Sequence, residues 1–234
     1  MEHNHLGERP VDVEKHPKQD FQVERLAFFS DAVFAIAITL LVIEFKVPHI
    51  TDNTTFRDAC NQLFDLKYHL IALLMSFWLI TIYWKDHHFL FKHIHNYNTP
   101  IIFANMLTLL PIIFFPFTST FFAECFANFF NQNNTEIFVL GFRIFALNNA
   151  LAALAISVFY WLVMIKYKEM SYNIPAKERI DFIWFAWFRI IFFTVIFVVT
   201  FITKNISFID GLMLIVIIFA RIFRKTYKKR LAEK

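Results

Sequence analysis

The stretch 25–48 constrains this chain more than any other. It reads Arg-Leu-Ala-Phe-Phe-Ser-Asp and then Ala-Val-Phe-Ala-Ile-Ala-Ile-Thr-Leu-Leu-Val-Ile-Glu-Phe-Lys-Val-Pro. As a helix, residues 25–47 rise about 33 Å at ~1.5 Å per residue, the thickness of a bilayer's hydrocarbon core with a margin. The run is apolar around nearly its whole circumference, which excludes a surface helix of a soluble domain. Yet Arg25, Ser30 and Asp31 lie in its first third. Ionisable groups in a membrane span are costly, face protein or water, and mark function.

The rest of the chain is consistent with a membrane protein. Its 234 residues are 58% hydrophobic, where a soluble domain holds about 45–50%. The apolar runs predict six spans, at 25–47, 66–91, 99–124, 137–165, 180–203 and 206–223. Pro111 and Pro116 fall inside the third and predict a kink. The fold class is all-α and polytopic. Three parts are expected: a cytoplasmic tail over 1–24, a six-helix domain over 25–223 and a basic cytoplasmic tail over 224–234. The segment 48–65 reads as a polar loop, and no apolar leader precedes the first span. The 33 Phe read as codon bias and lipid-facing filler.

Lys and Arg set the orientation. With the N-terminus inside, the inner segments hold 17 of the 23 bases; the outer ones hold Lys46, Arg57, Lys67 and Lys204. Both termini are therefore expected in the cytoplasm. The net charge of +4 sits in short loops and the tail, so it predicts no nucleic-acid partner. The basic end of the chain reads as a topology anchor, or as a site for anionic lipid.

The first span has two faces. At ~100° per residue, Ile36, Leu40, Ile43 and Val47 fall within about 60° of one another, while Asp31 points ~140° and Ser30 ~120° away from Ile36. Ala32 and Thr39 flank the apolar stripe, and Glu44 lies off it near the outer end, as a cation attractor or an interfacial marker. On the second span, His87 and His88 come at a depth similar to that of Asp31, and Trp84 one turn further in. A buried carboxylate needs donors. Ser30, Trp84 and one histidine are the candidates, in a network that fixes the helices against each other. Histidine titration near neutrality would make such a network pH-sensitive.

Arg25, Phe29, Ser30 and Asp31 form R-x-x-x-F-S-D at the head of a first span, followed by Ala-Val-Phe-Ala-Ile-Ala-Ile-Thr-Leu-Leu. This resembles the signature of the transmembrane-protein-175 family of potassium-permeable cation channels. The close resemblance covers about twenty residues, and the motif occurs once, as in the prokaryotic single-repeat form. The resemblance implies a homotetramer, because the two-repeat animal chains form dimers, with the first helix of each subunit lining a central pore. It implies a constriction at Ile36, five residues after the motif aspartate, with Leu40 and Ile43 one and two turns further along. Apolar rings gate by dewetting. It also implies that the motif residues join Trp and His behind the pore helix.

A carbonyl filter needs clustered glycines. Gly7, Gly141 and Gly211 lie far apart, so that device is absent. Two readings of Thr39 stand: a hydroxyl ring that favours potassium modestly over sodium, with a permeant K+ near it, or a bond back to its own helix. The expected function is passive conduction of monovalent cations in a plasma membrane, without catalysis, resident metal or cofactor, with copies of the chain and membrane lipids as partners. The alternative is a proton-coupled secondary transporter using Asp31 with His87 or His88. Such folds carry inverted repeats and interrupted spans, and only Pro111 and Pro116 hint at them. A membrane enzyme would need paired His or acid motifs on several helices.

Other signals are weaker. His87, His88, His93 and His95 lack supporting Cys or Glu at metal-ligand spacing. Cys60 and Cys125 both fall on the outer side, where a disulfide is possible. Asn53, Asn133 and Asn205 begin N-x-S/T sequons. Arg189 needs a partner in mid-span, and Asp31 and Asp181 are the acids expected at its depth. Arg143 is expected to snorkel.

Overall fold

In the computed structural model, residues 17–44, 50–172, 174 and 176–202 are described. They are helical almost throughout: α1 Pro17–Ile43, α2 Phe56–Asp65, α3 Lys67–Phe91, α4 Thr99–Gln132, α5 Thr135–Trp161 and α6 Ala176–Ile202. A π turn, Leu162–Lys166, and a 3-10 turn, Lys168–Met170, follow α5. Four helical stretches are long and apolar enough to cross a membrane: Phe21–Ile43, Phe56–Phe91, Thr99–Gln132 and Thr135–Lys166. The fifth expected span falls on α6, where the apolar stretch is Ala186–Ile202, shorter than a span and interrupted by Arg189. Lys177, Glu178, Arg179 and Asp181 crowd its start. The sixth expected span, the basic tail and most of the first tail lie outside the described residues.

Two boundaries differ from expectation. Helix α1 begins at Pro17, eight residues before Arg25. The segment read as a polar loop contains α2. Thr55 caps α2 by accepting from the Asp58 amide at 3.2 Å, and Asp58 Oδ2 accepts from the Thr55 amide at 3.2 Å. This reciprocal pairing starts a helix where composition alone suggested none.

Helix α4 is the centre of the bundle. It packs on α1, α3 and α5, and α5 in turn carries α6. Asn98 opens α4 by accepting from the Ile101 amide at 3.1 Å, with Pro100 in the first turn. Both interior prolines are buried, and α4 runs through them as one helix. Asn148 of α5 donates to the Pro111 carbonyl at 3.1 Å, a helix-to-helix contact on the proline-bearing stretch. The carbonyls that the prolines deprive of a donor are those of Leu107 and Ile112, four residues back. Other polar side chains stitch helix to helix. Ser119 donates to the Ala72 carbonyl at 3.2 Å, Tyr83 to Asn149 at 3.0 Å and Ser157 to Ala186 at 3.0 Å.

Phenylalanine does more than face lipid. Phe34, Phe115, Phe138 and Phe159 are among the largest fully buried side chains. Phe122 packs against Phe126, Phe138, Phe142 and Phe145, joining α4 to α5 with ring centroids 5.3–6.0 Å apart. Such aromatic pairs add to area burial. The reading of Phe as filler is therefore wrong for the α4–α5 seam, where the rings build the core.

The same seam explains Gly141. A Cβ at this position would stand 2.5 Å from Cys125 Cβ and 2.7 Å from its Sγ. Small residues let membrane helices approach closely. Gly141→Ala is expected to destabilise by about 1–3 kcal/mol, as overpacking does. Cys125→Ala should not rescue it, because the Cβ remains, whereas Cys125→Gly should. Melting of the purified variants checks both. Cys60 is exposed, Cys125 is buried, and both are free thiols.

Only two residues join α4 to α5. Asn133 adopts the left-handed conformation (φ 54°, ψ 33°), which Asn tolerates better than most residues. Asn134 then caps α5 by accepting from the Ile137 amide at 3.2 Å. At the opposite end of the bundle, the connections after α3 and α5 meet. The His95 amide donates to Met170 at 3.0 Å and the Tyr172 amide to His93 at 2.8 Å, beside an antiparallel bridge between Ile94 and Ser171.

Candidate functional site

Helix α1 turns two different faces outward and inward, as its sequence pattern demands. Val23, Ser30, Phe34, Ala37 and Leu41 are buried against the bundle, following the three-to-four residue spacing of one helix face. The stripe of the sequence reading lies elsewhere. Ile36 is 58% exposed and Ile43 72% exposed. Thr39 is exposed and Leu40 half-buried. Thr39 Oγ1 donates to the Ile36 carbonyl at 2.8 Å. Its proton is thus committed to its own helix, and its lone pairs point away from that bond. Glu44 is exposed at the end of the described part of the helix.

Behind that face lies a buried polar chain across three helices. His87 Nε2 and Asn105 Oδ1 are 2.7 Å apart, and Asn105 Nδ2 donates to Ser30 Oγ at 2.9 Å. Ser30 Oγ donates to the Leu26 carbonyl at 2.9 Å. An amide oxygen only accepts, so His87 carries its proton on Nε2. The two shortest interhelical bonds of this chain then run from α3 through α4 to α1, and Asn105 Oδ1, 3.2 Å from Ser30 Oγ, offers the Ser30 hydroxyl a second acceptor beside Leu26. All three side chains are essentially sealed from solvent. His87 also packs its ring 5.3 Å from Phe34 and 4.7 Å from Phe91, which fixes its plane.

A second bond joins α1 to α3. Trp84 Nε1 donates to Asp31 Oδ1 at 2.9 Å. Asp31 is half-buried and Trp84 lies at the surface. Of the donors expected for Asp31, Trp84 reaches it. Ser30 and His87 instead converge on Asn105, which the sequence reading missed. His88 is exposed and stacks obliquely on Trp84, with ring centroids 5.5 Å apart. Arg25 and Phe29 lie outside this network. Both are exposed, and Arg25 stands 6.0 Å from the Phe21 ring centroid. Asn105 had one signal: an amide in mid-run between Ile101 and Leu110, where an unpaired polar group is expensive.

Arg189 has a partner that the sequence reading did not name, Asp86, and the side chain of Asp181 lies outside the described residues. Arg189 Nη1 pairs with Asp86 Oδ2, joining α6 to α3. Its guanidinium also lies 5.9 Å from the Tyr83 ring centroid, and Tyr160 donates to the Asp86 carbonyl at 3.0 Å. Asp86 was passed over because it sits beside two histidines near the end of its span, where an acid reads as interfacial. Arg143 does not snorkel freely. It donates through Nη2 to the Thr200 carbonyl at 2.6 Å and lies 4.2 Å from the Phe201 ring centroid. No cluster of three metal-ligating side chains occurs among the described residues.

Residues 25–116 match the family model described as endosomal/lysosomal potassium channel TMEM175. This segment is TMEM175-family sequence. It contains α1 from Arg25 onward, α2, α3 and the first half of α4, and so every member of the polar chain. A potassium channel of Chamaesiphon minutus is 37% identical over 108 residues, 46% of this chain and 52% of that protein. The endosomal/lysosomal proton channel TMEM175 of Bos taurus is 31% identical over 91 residues, 37% of this chain and 19% of that protein. The chain spans about half the length of the bacterial curated relatives it matches. The crystal structure of a TMEM175 homologue from Chamaesiphon minutus, titled a lysosomal potassium-selective channel, superposes with a TM-score of 0.68. It shares 24% identity and covers 85% of this chain and 96% of that one. The likeness in fold therefore extends well past the matched segment.

Proposed function

We propose that this chain is one subunit of a potassium-permeable channel in a plasma membrane, and that four copies surround an ion path lined by α1. The observation that carries the reading is the outward stripe of Ile36, Thr39 and Ile43 on the helix bearing the TMEM175 motif, left exposed by the described helices. Four such stripes around an axis make stacked apolar rings, with Ile36 as the constriction and Leu40 and Ile43 beyond it. Apolar rings hold back hydrated ions by dewetting. Thr39 presents hydroxyl lone pairs beside the path, a weak device that favours potassium over sodium only modestly. Both termini face the cytoplasm in this arrangement.

Asp31, Trp84, His87, Ser30 and Asn105 act as positioning residues. They hold α1 against α3 and α4 so that the stripe keeps its bearing. No covalent step and no resident cofactor enter the reading.

The test is ion flux in liposomes containing the purified chain. Ile36→Asn is expected to raise potassium leak roughly tenfold, the effect of lowering a barrier by ~1.4 kcal/mol. The reversal potential in mixed potassium and sodium should move toward equality. An unchanged flux removes Ile36 from the constriction. Because animal relatives are named proton channels, the same liposomes should be read with a pH dye; proton flux that outlasts the loss of potassium flux would favour a proton path.

A further inference from the structure

Helix α2 is amphipathic and buries no residue in the protein. On a wheel of ~100° per residue, Phe56, Ala59, Cys60, Leu63 and Phe64 share an arc of about 140°. Arg57, Asp58, Asn61, Gln62 and Asp65 take the opposite side. The apolar side is open: Phe56 is 86% exposed and Phe64 67%. A soluble surface helix buries such a face against a core.

The bundle indicates what covers it. Helix α3 alone has 25 residues, about 37 Å at ~1.5 Å per residue, so it needs nothing from α2 to cross a bilayer. One residue, Leu66, separates the two helices. Just beyond it, Tyr68 stacks on Phe130 at 5.1 Å, two residues before α4 ends in the polar run 131–134. The break at Leu66 is therefore level with the end of a neighbouring span, where hydrocarbon gives way to headgroups. Lys67 sits there with its ammonium 4.0 Å from the Phe64 ring centroid and 4.9 Å from that of Tyr68. A basic and aromatic girdle of this kind marks a membrane boundary. Below it, Leu70, Ile71, Leu74 and Trp78 continue the exposed apolar surface down α3.

We propose that α2 is a membrane-surface helix that lies at the headgroup boundary, on the side of the bilayer holding the α1–α3 connection. Its Phe56, Cys60 and Phe64 face is seated in lipid and its Asp58, Asn61 and Asp65 face in water. The partner is the bilayer itself, as for other interfacial amphipathic helices. The placement goes beyond the channel reading and stands whether or not α1 lines an ion path.

The chain supplies its own probe, since Cys60 is exposed on the apolar face and Cys125 is buried. A nitroxide attached to Cys60 of the full chain in phosphatidylcholine liposomes should collide readily with oxygen and poorly with an aqueous nickel chelate. Asn61→Cys in a Cys60→Ser background should show the reverse. Cys60→Ser alone should take up no label, and the labelled proteins should keep their elution volume. Equal, high nickel accessibility at both sites would put α2 in water and overturn the proposal. So would spin–spin broadening at Cys60 that disappears on dilution with unlabelled chain, because a second copy would then cover the face.

Discussion

Replacing Arg189 by methionine is expected to cost the fold about 3–5 kcal/mol, the usual penalty for stranding one partner of a buried ion pair. The stranded group is Asp86, whose carboxylate meets the Arg189 guanidinium between α3 and α6. Asp86→Leu should cost a similar amount for the converse reason. The double variant Asp86→Leu with Arg189→Met should recover much of the loss, because apolar groups of comparable bulk pack in low dielectric without a desolvation penalty. Unfolding in detergent micelles measures all four forms and gives the coupling directly. Single variants within ~0.5 kcal/mol of the starting protein, the range of unremarkable surface changes, would mean that the pair contributes nothing.

Asn105→Leu should be the next most damaging change, at about 2–4 kcal/mol. Membrane-embedded interhelical hydrogen bonds are worth roughly 0.6–2 kcal/mol each, and an orphaned buried donor adds about 1–3 kcal/mol. Asn105 is the only member of the chain that bonds to both others, accepting from His87 and donating to Ser30. Its loss leaves the His87 proton with no acceptor while Ser30 keeps Leu26. Ser30→Ala should therefore be milder. Melting temperatures of the two variants rank them, and a Ser30→Ala penalty as large as that of Asn105→Leu would contradict the central place of Asn105. In the channel reading, Asn105→Leu also lets α1 rotate, so flux should change even in protein that remains folded.

What the sequence disclosed and what it hid follow from the physics of each signal. Spans are legible because bilayer thickness demands long apolar runs, and α1, α3, α4 and α5 all coincide with such runs. Helix α2 was written in the Thr55 to Asp58 spacing and in its two-sided wheel, but its polar residues weighed more in the composition. The outward bearing of Ile36 was legible from periodicity, because a helix exposes what it does not bury. Which polar groups meet was not legible. The pairing of His87 with Asn105, or of Arg189 with Asp86, depends on how each helix is rotated about its axis and slid along it. Gly141 shows the same limit: one glycine in an apolar run carries no mark of the Cys125 it must admit.

The two-residue link at Asn133 and Asn134 has a mechanical consequence. A left-handed residue followed at once by a cap leaves the α4–α5 corner no slack, and the phenylalanine seam and the Gly141 contact bind the two helices along the halves next to that corner. In the channel reading the hairpin is expected to act as a stator. Changes of shape are then expected in the helices packed on its flanks, α1 against α4 and α6 against α5.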